Sequence, residues 1–224
     1  MSQPILVWDI PTRVFHWLLV LSFTGAYLTA EVDAFPDMHA VLGYTMLGLL
    51  AFRFPWGFIG TRYARFRSFI FKPAEIMAYI RSLLTGKPGH FVGHNPAGSV
   101  AIWLLLTLGI LSGVTGVVLI QDIGGKAMEE IHEFFSNSML AVVLIHIAGV
   151  AVSSVLHREN LARSMFTGLK TAEPEQGIRY AHRWLGVIML IAVVAFWVGY
   201  PSTGLVTQNA DTAHAEHDDD DDDD

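Results

Sequence analysis

The stretch IHEFFSNSMLAVVLIHIAGVAVSSVLH, residues 131–157, decides the fold. It is mostly apolar and long enough to cross a bilayer, and it carries His132, His146 and His157. An ionisable side chain inside a membrane is costly and marks a functional site by default. His132 and His146 are 14 residues apart. That is roughly 21 Å along a helix axis, and 14 steps of about 100° return to within about 40° of the start. The two imidazoles therefore share one face of one helix at two different depths.

The rest of the chain supports a membrane setting. Of 224 residues, 52% are apolar and only 16% charged, too few charges for an ordinary soluble domain. A span of the hydrocarbon core takes about 20 mostly apolar residues. Five blocks meet that need, at 14–30, 39–59, 98–120, 133–156 and 182–200. The second is the weakest, because Arg53 sits inside it and Pro55 follows. The first does not read as a signal peptide: MSQPILVWDI lacks Lys and Arg and contains Asp9. There is no cysteine, which excludes disulfides, thiolate-bound zinc or iron–sulfur clusters, and thiol catalysis within the chain.

Charge sets the expected orientation, because Lys and Arg collect in cytoplasmic loops. The loop after the second block carries Arg62, Arg65, Arg67, Lys72, Arg81 and Lys87, and the loop after the fourth carries Arg158, Arg163, Lys170 and Arg179. The other two loops hold Lys126 against Glu31, Asp33, Asp37, Asp122, Glu129 and Glu130. The N-terminus is predicted inside and, with five spans, the C-terminus outside.

This orientation sorts the histidines by depth. His39 and His132 fall near the outer surface, and His16 and His146 in the inner half. Two imidazoles facing each other at one depth are what a six-coordinate b haem requires, one axial bond from each. Zinc suits two separate pairs without Cys poorly. His157, 11 residues past His146, lies within about 20° of the same face. Spacing alone leaves His146 and His157 both open as the partner of His16.

WDIPTRVFHW, MHAVLGY, RFPWGFIGTRYARF, GHNPAG and IHEFF…LIHIAGV resemble the bacterial cytochrome b561 family, the broad group that includes the membrane b-type cytochromes serving nickel–iron hydrogenases. The resemblance covers about residues 7–165. It implies an all-α integral membrane four-helix bundle binding two b haems, here with a fifth C-terminal transmembrane helix. It implies axial ligation by His16 with His146 and by His39 with His132, favouring His146 over His157. It divides the chain into a di-haem domain (1–165), a cytoplasmic loop with the fifth helix (166–203) and an acidic tail (204–224).

Other residues carry two readings each. Arg13, three residues before His16, is the best single candidate for a haem propionate. Arg62 and Arg65 could pair with a propionate or a quinone head group, as guanidinium binds carboxylate in two-pronged fashion, or could anchor topology. His94 is a candidate proton acceptor for quinol, against simple loop hydrogen bonding. His182 reads as an interfacial residue before a quinone contact. In SGVTG (112–116), Gly113 and Gly116 allow close helix contact or make room for a flat ring. HAEHDDDDDDD is expected to stay disordered, free in solvent or steering a basic carrier such as a c-type cytochrome.

The expected function is electron transfer across a bacterial inner membrane, between the quinone pool and a periplasmic c-type cytochrome, with quinol:cytochrome oxidoreductase activity as the enzymatic form. The alternatives are a cytochrome b subunit anchoring a hydrogenase-like oxidoreductase complex, a superoxide oxidase and, from another class, a haem-free metal transporter or sensor. No nucleic-acid-binding or hydrolytic motif is present. Monomer and homodimer are both compatible with the sequence.

Overall fold

The computed structural model describes residues 2–30, 36–86 and 89–200. The acidic tail lies outside the described residues, as do Glu31, Asp33 and Lys87 of the charge argument. Helix α1 spans Ile10–Thr29, α2 Pro36–Ile59, α3 Pro73–Leu84, α4 Pro96–Ile120, α5 Gly125–His157, α6 Leu161–Thr167 and α7 Arg183–Gly199. The helix starts follow local chemistry. The Asp9 carboxylate accepts the Thr12 amide at 2.8 Å, and the Asn95 side chain accepts the Gly98 amide at 2.7 Å. Each cap precedes a proline in the first turn, where a missing N–H costs nothing.

Among the described residues, three helices are long and apolar enough to cross a membrane: Asp37–Ile59, Pro96–Ile120 and Gly125–His157. The other two expected spans form helices but fall short of that measure. α1 has 20 residues, yet Arg13 and His16 dilute its apolar character. α7 is apolar but only 17 residues long. In α4 and α5 most apolar side chains point outward, including Leu104, Ile110, Leu144, Ile145 and Val155. Outward-facing Leu and Ile on two long adjacent helices are a lipid-facing surface.

α1 packs along α2, α4 along α5, α2 against α4, and α7 against α1. Close backbone approach of α5 to α1 or α2 is sparse, so α5 meets the α1–α2 pair through side chains. Phe23 from α1, Met46 from α2 and Met139 from α5 form a buried cluster between them. Each lies seven residues from a histidine: Phe23 from His16, Met46 from His39, and Met139 from both His132 and His146. This apolar layer therefore sits midway between the two histidine levels.

The end of the bundle opposite His39 is closed by a cap that the helical pattern does not announce. β1 (Gln3–Leu6) pairs antiparallel with β2 (Leu169–Ala172), joining segments far apart in the chain. Gly168 takes φ +81°, and a Cβ there would stand 2.8 Å from the Trp8 carbonyl. Its own carbonyl accepts the Val7 and Trp8 amides at 2.8 and 3.1 Å. Ile5, Val7, Trp8, Tyr63 and Ala172 make the core of this cap.

Candidate functional site

Seven residues from the Met46 and Met139 cluster along α2 and α5, His39 of α2 faces His132 of α5, with ring centroids 6.2 Å apart and planes at 78°. The Nδ1 of His39 lies 2.8 Å from the Ala26 carbonyl of α1. The Nδ1 of His132 lies 3.0 Å from the Ser112 carbonyl of α4 and 3.0 Å from the Thr115 hydroxyl. A carbonyl only accepts, so both Nδ1 atoms carry the hydrogen and both Nε2 atoms keep a lone pair. Two facing imidazoles with this tautomer are a donor pair that could hold one metal centre between their Nε2 atoms.

Gly116 makes the geometry possible. A Cβ at that position would stand 3.1 Å from the Cε1 of His132. Gly113, by contrast, lies directly against Leu47, and a Cβ on Gly25 would meet Leu42 at 2.6 Å. The two readings of SGVTG thus divide by residue: Gly113 permits helix contact, and Gly116 makes room for an imidazole. Gly116→Val is expected to displace His132 and lower occupancy of that centre selectively, measured as haem bound per polypeptide against a Gly43→Ala control, where a Cβ meets nothing within 4 Å.

At the other level, His146 of α5 lies within electrostatic range of His16 of α1 and of His94. Among the described residues, the buried Nδ1 of His16 has no hydrogen-bond partner and His146 makes no hydrogen bond. This pair lacks the direct ring contact seen at the His39 level. His157 is turned elsewhere. Its Nδ1 lies 2.9 Å from the Ser153 carbonyl and its Nε2 3.2 Å from the Gly89 carbonyl, and its ring packs 5.8 Å from that of His90.

Among the described residues, the buried polar atoms without partners include Thr12 Oγ1 and His16 Nδ1 on α1, Arg53 Nη1 and Trp56 Nε1 on α2, Arg65 Nε, and His94 Nδ1. Buried polar groups are normally satisfied, so such orphans suit a site for a polar or anionic group. Arg53 is the residue the sequence reading passed over as a flaw in a span. It is 5% exposed, donates from Nη2 to the Ala64 carbonyl at 2.8 Å, and lies 4.8 Å over the Phe66 ring. Its charge is balanced by Asp9, whose second oxygen accepts the Thr61 hydroxyl. Arg13 instead donates from Nε to the Met165 carbonyl at 3.3 Å, beside Trp17, which donates to the same oxygen. His182 packs on Trp56 with centroids 5.3 Å apart.

His94 is half-buried with its Nδ1 enclosed, and its ring lies 4.8 Å from both Trp8 and Phe69. Burial, followed by the charges of Arg53, His146 and Lys170, pushes its pKa down to about 3. An unfolded chain takes up that proton near pH 6.5, so between the two values the unfolded state holds more protons. Stability then falls as pH falls, by roughly 1 kcal/mol per pH unit from this group. Thermal melting at pH 5 should lie below that at pH 7, and His94→Phe should flatten the difference. Beside His94 opens a cavity of about 680 Å³, whose wall includes Arg62, Tyr63, His90, Phe91 and Glu173. Arg62 lies 5.3 Å over the Tyr63 ring there.

A multi-pass helical bundle with histidines at two levels of one long helix, one of them facing a second imidazole, is an arrangement suited to membrane electron transfer. The sequence comparisons agree. The family model for prokaryotic cytochrome b561 matches residues 7–168, and the chain belongs to that family. It is 24% identical over 215 residues to the probable Ni/Fe-hydrogenase B-type cytochrome subunit of Rhizobium leguminosarum bv. viciae, covering 74% of this chain and 88% of that one. The protein of the same description from Rhodobacter capsulatus is 24% identical over 216 residues, covering 76% and 82%. The probable Ni/Fe-hydrogenase 1 B-type cytochrome subunit of Escherichia coli K12 is 24% identical over 143 residues, covering 52% and 60%. No solved structure matches.

Proposed function

We propose that this protein transfers electrons across the bacterial inner membrane through two bis-histidine b haems, between the quinone pool and a redox partner. The observation that carries the reading is the His39–His132 pair, at 6.2 Å with both Nδ1 atoms engaged and, among the described residues, no partner at either Nε2. His39 and His132 hold one haem, and His16 and His146 the other. The orientation of His157 toward the Gly89 carbonyl supports His146 in that role. Haem, when bound, supplies the one-electron redox chemistry.

The chain's own residues do the rest. Ala26, Ser112 and Thr115 fix the tautomer and ring orientation of the two outer imidazoles, which also raises the basicity of Nε2. Arg53, Arg65 and the polar orphans near His16 suit the carboxylates of a haem edge, while Arg62 and His94 border a cavity large enough for a quinone head group. Phe23, Met46 and Met139 exclude water between the two levels. The donor set is one of pairs: among the described residues no three His, Asp or Glu converge on a metal-sized site, whereas zinc takes three or four protein ligands. This favours haem over the metal transporter or sensor.

The relatives favour one class of redox partner. Their descriptions as hydrogenase B-type cytochrome subunits point to oxidoreductase subunits rather than a freely diffusing c-type cytochrome. With the N-terminus cytoplasmic, the His39–His132 centre faces the periplasmic partner. Proteoliposomes loaded with ferricyanide test the function: an impermeant external reductant should bleach the internal ferricyanide only when the protein is present. Equal bleaching in protein-free vesicles, or none in either, overturns it.

A further inference from the structure

We propose that α3 is an interfacial helix that lies in the plane of the membrane and binds anionic phospholipid head groups. It follows α2 and precedes α4, and both of these are long and apolar enough to span the bilayer. The chain between two spans that enter and leave at the same face is held at that face, so α3 cannot stand far from the lipid surface. Its side chains divide into three arcs. Tyr79 is buried and packs 5.6 Å from the Phe91 ring, with Ile76 and Leu83 half-buried on the same side. Met77, Ile80 and Leu84 are exposed, Leu84 at 84%, and fall within about 60° of one another on a helical wheel. Ala74, Ala78 and Arg81 occupy the remaining arc and are exposed too.

An exposed apolar stripe beside a protein-packed face needs an occupant. The flanking charges indicate which one. Lys72 stands at the N-cap, Arg81 borders the stripe in the last turn, and Arg67 precedes the helix with Ile70, 66% exposed, nearby. The one carboxylate on the helix, Glu75, is turned back to accept the Lys72 amide at 2.6 Å and caps the helix. Apolar residues below and basic residues at the rim are the arrangement of a helix sunk into the boundary between head groups and acyl chains, with cations on anionic head groups. Because Tyr79 packs on Phe91, a wall of the cavity beside His94, the lipid contact also braces that cavity.

The absence of cysteine allows a clean test on the full chain. Single cysteines are placed at Met77, Ile80 and Leu84, and at Ala74 and Ala78 as controls. They are labelled with bimane and reconstituted in nanodiscs of brominated phosphatidylcholine with or without phosphatidylglycerol. For a stripe some 5–10 Å below the head groups, quenching at the first three positions should be at least about twofold that at the controls. It should deepen with phosphatidylglycerol, and Lys72→Glu with Arg81→Glu should abolish the deepening. Equal quenching at all five positions overturns the proposal. So does a stripe shielded from aqueous quenchers and from lipid bromine alike, which would assign it to a second copy or a partner subunit. A dependence on phosphatidylglycerol that survives the double charge reversal overturns the head-group contact.

Discussion

On the proposed two-haem reading, replacing His132 with alanine should remove one haem and leave the other, because His132 would serve only the His39 level. The two levels are separated by the Phe23, Met46 and Met139 layer, and His132 and His146 are 14 residues apart on α5. The reduced-minus-oxidised spectrum should keep the absorption of the His16–His146 centre, and haem per polypeptide should fall by half. His39→Ala should give the same spectrum, since the group at that level would be held only with both imidazoles present. Thr115→Val tests the supporting contact. It removes one hydroxyl near the Nδ1 of His132 but leaves the Ser112 carbonyl, so haem is retained with an affinity loss at the low end of the 10- to 100-fold seen for such partners.

The second large effect discriminates His146 from His157. His146→Ala should lose the haem at the Arg53 level, whereas His157→Ala should keep both. The reason is geometric: the two ring nitrogens of His157 lie against backbone carbonyls of Ser153 and Gly89, and its ring lies against His90. His146 makes no such contacts among the described residues and stands in range of His16. Loss of a haem in His157→Ala with retention in His146→Ala would exchange their roles. Arg53→Met belongs to the same centre. It removes a buried cation whose Nη1 has no partner among the described residues, so it should weaken haem retention there without touching the His39 level.

The large features were legible in the sequence because they are periodic. Each apolar block became a helix, and the 14-residue interval placed His132 and His146 on one face. Shorter features were not. QPIL and LKTA are four residues each, too short to show alternation, and they pair across the length of the chain. The start of α5 at Gly125 lies eight residues before the apolar block, since Lys126, Glu129 and Glu130 form helix without being apolar. Arg53 looked like a defect because its compensation comes from Asp9, Ala64 and Phe66, none of which is its neighbour in the chain. The packing of His94 against Trp8 and Phe69 depends on the cap, and the choice between His146 and His157 depends on where the loop at Gly89 runs. Spacing carries angle and depth along one helix; it carries nothing about what a distant segment brings to that face.

The most direct measurement is the haem content of the purified full-length protein, taken by pyridine haemochromogen against quantitative amino-acid analysis, from cells supplied with haem during expression. Two b haems per polypeptide is the predicted result. One haem would contradict the pairing at one of the two levels, and none in a folded preparation would contradict the electron-transfer account altogether.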